Sequence, residues 1–125
     1  MSKTSFTPSN GEVWIVKIPN QPNDPHQPRP VVVVSNNSQN KYLTSVIAIP
    51  TSSSISEAHP KLHVFLPKGT GGLSKDCYAR CELITTIDKS LLVKGPLDKP
   101  LDIKYRWQLI EGVRFALGDM RILPF

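Results

Sequence analysis

The sequence predicts a mainly β domain, a small barrel of five or more short strands with one C-terminal helix packed on it. Three observations carry this. Short β-branched runs recur along the chain, each bounded by proline, glycine or polar residues. Asp76 to Asp88 alternates apolar and polar residues over a long stretch. Only Ile103 to Leu117 carries apolar residues at helical spacing.

Residues 1–10 are polar and read as a flexible arm, which leaves 11–125 as a single domain. Glu12 to Ile18 reads as a strand apolar on both faces, ended by Pro19. Pro19, Pro22, Pro25 and Pro28 then recur every three residues, the period of a polyproline II turn. The spacing predicts an extended, stiff loop that carries His26 and Arg29. The valines of Val31 to Ser35 predict a central strand buried on both faces. Asn36 to Lys41 reads as a polar turn. Thr44 to Ile49 is a third strand, ended by Pro50, and Thr51 to Glu57 a Ser-rich loop.

Leu62 to Leu66 is a fourth strand, and Gly69 to Gly72 a turn. Asp76 to Asp88 reads as one long strand. Cys77, Ala79, Cys81, Leu83, Thr85 and Ile87 face the core. Arg80 and Glu82 stand together on the other face, because side chains i and i+2 share a side. The helix follows, with Ile103, Trp107, Ile110, Val113 and Leu117 as its buried stripe and Trp107 as core anchor. Asp102 is its N-cap and Gly118 its C-terminal cap.

Composition narrows the function. The 125 residues are 39% hydrophobic and 20% charged, enough for one core without disulfide or metal. No apolar run exceeds four residues, as at Val31 to Val34, far short of the ~20 that cross a bilayer. The N-terminus has no apolar signal region, so the expectation is a soluble cytoplasmic protein with no membrane partner. Fifteen Lys and Arg against ten Asp and Glu give +5. That balance suits RNA, DNA or an acidic protein, and does not choose among them.

Cys77 and Cys81 lack a second pair to complete a zinc site and read as buried free thiols. His59 and His63 have metal-ligand spacing only on a helix, which Pro60 and the strand pattern oppose. There is no P-loop, no G-x-S-x-G elbow and no acidic cluster, so the expectation is no metal and no cofactor. Arg80 and Glu82 fit either an exposed ion pair or a catalytic set of base and phosphate clamp. Read alone, Arg29 is a solvated arginine and Thr51 caps a turn.

Five pieces in order resemble the PemK/MazF toxins. They are G-E-V-W at Gly11 to Trp14, R-P-V-V-V-V-S at Arg29 to Ser35, A-I-P-T-S at Ala48 to Ser52, G-L-S-K-D at Gly72 to Asp76, and R-C-E-L-I-T-T-I-D-K-S at Arg80 to Ser90. The resemblance spans about Gly11 to Leu117. It implies an SH3-like β-barrel of the CcdB/PemK/MazF type that forms a homodimer. It implies metal-free cleavage of single-stranded RNA by 2′-OH attack, leaving a 2′,3′-cyclic phosphate and a 5′-OH. It also implies a cognate antitoxin that covers the RNA site.

The same resemblance implies residue roles. Arg29 contacts the scissile phosphate and Thr51 orients it. Glu82 is the general base on the 2′-OH, and Arg80 the acid or charge clamp. Glu12 supports substrate binding, together with Ser52. His26, with an ordinary pKa near 6.5, is a chemically easier acid than an arginine and is placed at the RNA as well. The chain has Leu83 where the family often has Gln, and Thr85 where it often has Arg or Lys, which bears on base recognition. Two other readings stay open: a catalytically impaired PemK-like binder of antitoxin or RNA, and a CcdB-like gyrase poison. The R-C-E motif favours the ribonuclease, since a gyrase poison needs no phosphate-facing Arg and Glu.

Overall fold

One strand organises the fold. In the computed structural model, which describes residues 7–17, 28–119 and 121, β3 (Ser45–Ser52) lies inside an antiparallel sheet. One edge of β3 pairs with β2 (Arg29–Val33), Val31 opposite Pro50 and Val33 opposite Ala48. The other edge is shared. β6 (Thr85–Asp88) takes Ser45 to Ala48, and β5 (Cys77–Arg80) takes Thr51 and Ser52. β4 (His63–Leu66) pairs with β5, β1 (Val13–Val16) with β2, and β7 (Leu92–Lys94) with β1. The end strands β4 and β7 do not pair among the described residues, so the sheet is open where a closed barrel was expected. Because β3 passes its edge from β6 to β5 at Pro50, the sheet divides into two leaves. The mainly β class with a closing helix stands.

The valine-rich strands alternate between two cores. Val13, Val32 and Ile49 pack with Leu66, Ala79, Cys81 and Leu101 under Leu109 of α2 (Ile103–Ala116). On the opposite face Trp14, Val31, Val33, Val46 and Ala48 pack with Ile87 and Leu92. Burying both faces of one strand stabilises strongly, since each such side chain contributes about 1.5–3 kcal/mol.

Several expectations need correction. Asn36 to Lys41 is not a turn but leads into a short helix, α1 (Asn37–Tyr42). Asn36 Oδ1 accepts the Gln39 N–H at 2.7 Å, so a side-chain cap starts it without an apolar stripe. Asn40 is buried on it, donating to the Ser35 carbonyl at 3.0 Å and bonded to the Ser35 hydroxyl. Pro50 lies within β3 and does not end it, at the point where the strand changes partner. The long strand from Asp76 to Asp88 is two strands, β5 and β6, broken by a 3-10 turn at Cys81–Leu83. Leu83 and Thr85 are therefore exposed rather than core. The short strand β7 is additional to the elements the sequence pattern predicts.

The helix bounds hold, but not its buried face. Leu109 and Gly112 are buried, while Trp107 is 59% and Ile103 61% exposed, with Ile110 and Leu117 also exposed. Trp107 is no core anchor. Gly112 lets the helix press close against Cys81, and that approach fixes which face turns inward. Asp102 occupies the N-cap position without a side-chain capping bond, and Gly118, at φ +72°, ends the helix. Residues 7–10 are anchored, with Pro8 buried and Asn10 Nδ2 donating to the Val34 and Ser35 carbonyls. Residues 1–6 of the expected arm, and most of the proline-rich loop with His26, lie outside the described residues.

Candidate active site

Four of the predicted site residues meet in one place. Arg29, Thr51, Ser52 and Arg80 line a cleft of about 600 Å³. The sheet register brings them together. Arg29 opens β2, beside the end of β3 that carries Thr51 and Ser52, and Arg80 closes β5, which pairs with that same end. Ser53, Ser54, Ser74 and Lys75 add hydroxyls and a third cation. Among the described residues, the lining holds three cations and no carboxylate. Such a cleft attracts anions and offers them fixed guanidinium donors.

Thr51 is 5% exposed, and its hydroxyl donates to the Pro30 carbonyl at 2.9 Å. Arg80 reaches out of the cleft as well as into it. Its Nε and Nη2 donate to Glu82 Oε2 at 3.0 and 2.8 Å. The same oxygen lies 3.1 Å from His63 Nε2. Glu82 Oε1 is buried and makes no hydrogen bond among the described residues. Burial pushes the Glu82 carboxyl up, but the bonds from His63, the backbone and Arg80 outweigh it and hold the group below the usual carboxylate range.

Glu82 itself does not line the cleft; it stands behind Arg80, on the turn after β5. Arg80 and Glu82 meet as expected, though not as neighbours on one strand face. Glu12 lies elsewhere. Its Oε1 accepts from the Ser9 N–H at 2.8 Å and from Trp14 Nε1 at 3.0 Å, which braces the entry to β1. His26 falls outside the described residues.

Sequence reasoning missed His63, which it weighed only as a metal ligand. The register that sets His63 opposite Arg80 is a tertiary fact, and no spacing in the sequence signals it. Both cysteines are buried free thiols. Burial, with the Glu82 charge adding, pushes Cys81 up to about 12. No three of His, Cys, Asp or Glu converge as a metal-binding set among the described residues, and no described helix is long and apolar enough to cross a membrane.

The match to known proteins now has a fold and a site to attach to. Residues 9–105 match the family described as PemK-like, MazF-like toxin of type II toxin-antitoxin system. The chain belongs to this toxin family. Endoribonuclease MazF9 of Mycobacterium tuberculosis is 33% identical over 90 residues, 67% of this chain and 75% of the relative. A solved endoribonuclease from a mycobacterial species superposes with a TM-score of 0.72 at 19% identity, over 98% of this chain and 99% of that one. A second, an endoribonuclease in complex with its cognate antitoxin, also from a mycobacterial species, gives 0.71 at 19% identity, over 97% and 99%. At that identity the structural likeness speaks for the fold. In this toxin, the matched segment contains every cleft residue as well as Glu82 and His63.

Proposed function

We propose that this toxin is a metal-independent, sequence-specific endoribonuclease that cuts single-stranded RNA and is held in check by a cognate antitoxin. The cleft carries the reading, because its three cations suit an RNA phosphate and, among the described residues, it offers no acidic ligand for a divalent cation. Relatives that cover two thirds of the chain are named endoribonucleases, which supports it.

The scissile phosphate sits between Arg29 and Arg80, with Lys75 and the Ser52–Ser54 hydroxyls along the sugar–phosphate backbone. Glu82 takes the proton from the ribose 2′-OH. The oxygen attacks phosphorus, the bond to the 5′-oxygen breaks, and a 2′,3′-cyclic phosphate and a 5′-OH result. The fixed guanidiniums stabilise the charge that builds on the phosphorane. An arginine stays charged throughout the working pH range, so Arg80 clamps the phosphate and does not act as the acid. His26 is chemically suited to protonate the leaving oxygen. When the phosphate draws Arg80 toward itself, Arg80 leaves Glu82, and the carboxylate behind it is uncovered to the 2′-OH.

The protein works as a cytoplasmic homodimer, and the cleft's charge makes an acidic antitoxin segment a fitting competitor for RNA. The test is incubation with a long mixed-sequence RNA in EDTA, with the new ends mapped. Discrete cuts with 5′-OH and cyclic phosphate ends, lost in Arg29→Ala, support the reading. Intact RNA with a folded protein would leave a toxin-fold binder without catalysis.

A further inference from the structure

We infer that His63 is a positioning residue, which holds the Glu82 carboxylate by one oxygen and leaves the other to act as base. The inference rests on the ribonuclease reading. His63 lies on β4 directly opposite Arg80 on β5, so the β4–β5 register delivers its ring to the carboxylate. The ring is held at both ends. Nδ1 accepts the His59 backbone N–H at 2.8 Å, so the ring proton sits on Nε2, which donates to Glu82 Oε2 at 3.1 Å. His59 is fixed in turn, its own Nδ1 accepting the Lys61 and Leu62 N–H groups at 3.0 and 3.2 Å. The His63 side chain is only 10% exposed.

Arg80 grips the same oxygen, but Arg80 lines the cleft and answers to the phosphate. His63 does not line that cleft. Once RNA engages Arg80, His63 is the donor that stays. It anchors Oε2 and leaves the lone pairs of Oε1 for the 2′-OH. A base fixed in orientation at hydrogen-bond distance, about 2.6–3.2 Å from the hydroxyl oxygen, is what general base catalysis needs. Among the described residues, the charged and titratable groups facing the pair are Arg80 from β5 and Cys81, beside Glu82 on the turn. Lys61, and Glu111 of α2, line the groove on the far side of the ring, and His59 meets it edge to face.

The test is single-turnover cleavage of a short RNA carrying a mapped cut site, over a pH series, by wild type, His63→Leu, His63→Gln and Glu82→Gln. His63→Leu should lower the rate by about 10–100-fold, the scale for lost orienting partners, with little change in KM. Its acid limb should move to higher pH, because the N–H that favours ionised Glu82 is gone. A glutamine amide at this position can donate to the same oxygen, so His63→Gln should recover most of the rate and the acid limb. His63→Leu at the wild-type rate with an unmoved acid limb, beside an inactive Glu82→Gln, would overturn the inference and leave the ribonuclease reading standing. RNA left intact by wild type would remove both. If His63→Leu does not fold, the nitrogen NMR spectrum of wild type decides. The Nε2-protonated tautomer supports the inference, and the Nδ1-protonated one overturns it.

Discussion

Thr51 Oγ1 donates its single proton to the carbonyl of Pro30 at 2.9 Å, which ties the end of β3 to the residue after Arg29. A threonine that orients a phosphate directly needs that proton for the phosphate. Here the hydroxyl bonds the backbone that presents Arg29. Thr51→Val should lower stability by about 1 kcal/mol, the usual worth of one such bond, and Thr51→Ser should not. Cleavage should fall with Val and hold with Ser. Urea unfolding and cleavage kinetics on both variants check this, and equal loss in the two would place the methyl group rather than the hydroxyl at the centre.

Glu82 accepts two N–H groups of Arg80, so it could serve as base or simply as a brace for the arginine. Glu82→Gln separates the two roles. The amide oxygen still accepts from Arg80, but the group no longer takes a proton. If Glu82 is the base, the rate falls by about 10²–10⁴-fold at unchanged RNA affinity. A brace alone predicts a small loss, seen mainly in KM.

The pattern of β-branched residues located β1 to β4 because their periodicity is local. The break in the Asp76–Asp88 stretch was hidden by the same logic. Cys77, Ala79, Cys81 and Ile87 keep one parity and are all buried, so the 3-10 turn between them leaves no trace in the pattern. The helix was legible but its face was not. It carries two candidate stripes, and the bulkier one, with Trp107, lost to the one with Gly112, whose value lies in what it does not occupy. Arg29, Thr51, Ser52 and Arg80 were legible as a set only through the resemblance, since their meeting depends on register. His63 was illegible for the same reason, and Glu12, expected at the RNA, bonds to Ser9 and Trp14 and is not among the cleft-lining residues.

The Glu82 carboxyl sits below its ordinary range in the folded protein, about 4.3 when unfolded. A depressed folded pKa stabilises the fold above the unfolded value, and that stabilisation disappears as pH falls through the folded one. Asp88 and Asp119 are depressed too, so wild type alone does not isolate Glu82. The difference in unfolding free energy between wild type and Glu82→Gln should be flat at neutral pH and shrink below about pH 5. A difference that grows with acid would contradict the assigned sign.

Cys81 is fully buried, and its thiol is pushed up to about 12. Thiolate, not thiol, reacts with alkylating agents. Native protein at mildly alkaline pH should leave Cys81 unlabelled by iodoacetamide, and denaturant should label both cysteines. Peptide mapping after labelling reads this directly. Fast labelling of Cys81 in the native state would mean that α2 lifts off the sheet.

Gly112 sets the distance between α2 and the Cys81–Leu83 turn. A Cβ built there would lie 2.5 Å from Cys81 Sγ and 3.0 Å from Cys81 Cβ. Two effects oppose each other in Gly112→Ala. Helix propensity favours alanine by about 1 kcal/mol. Forcing a methyl group into packed space costs about 1–3 kcal/mol. The contact is with a short, buried side chain that has little room to move, so overpacking wins and the variant should melt lower than wild type. Cys81→Ala removes the Sγ contact, so the double variant should recover part of the loss, a coupling that a thermodynamic cycle measures. Glu82 follows Cys81 directly. The push on Cys81 should therefore also move the carboxylate, and Gly112→Ala should cleave RNA more slowly than wild type even where both are fully folded. A variant that melts lower but cleaves at the wild-type rate would show that the turn yields on the helix side alone, and that the carboxylate is held by Arg80 and His63 without help from the core beneath it.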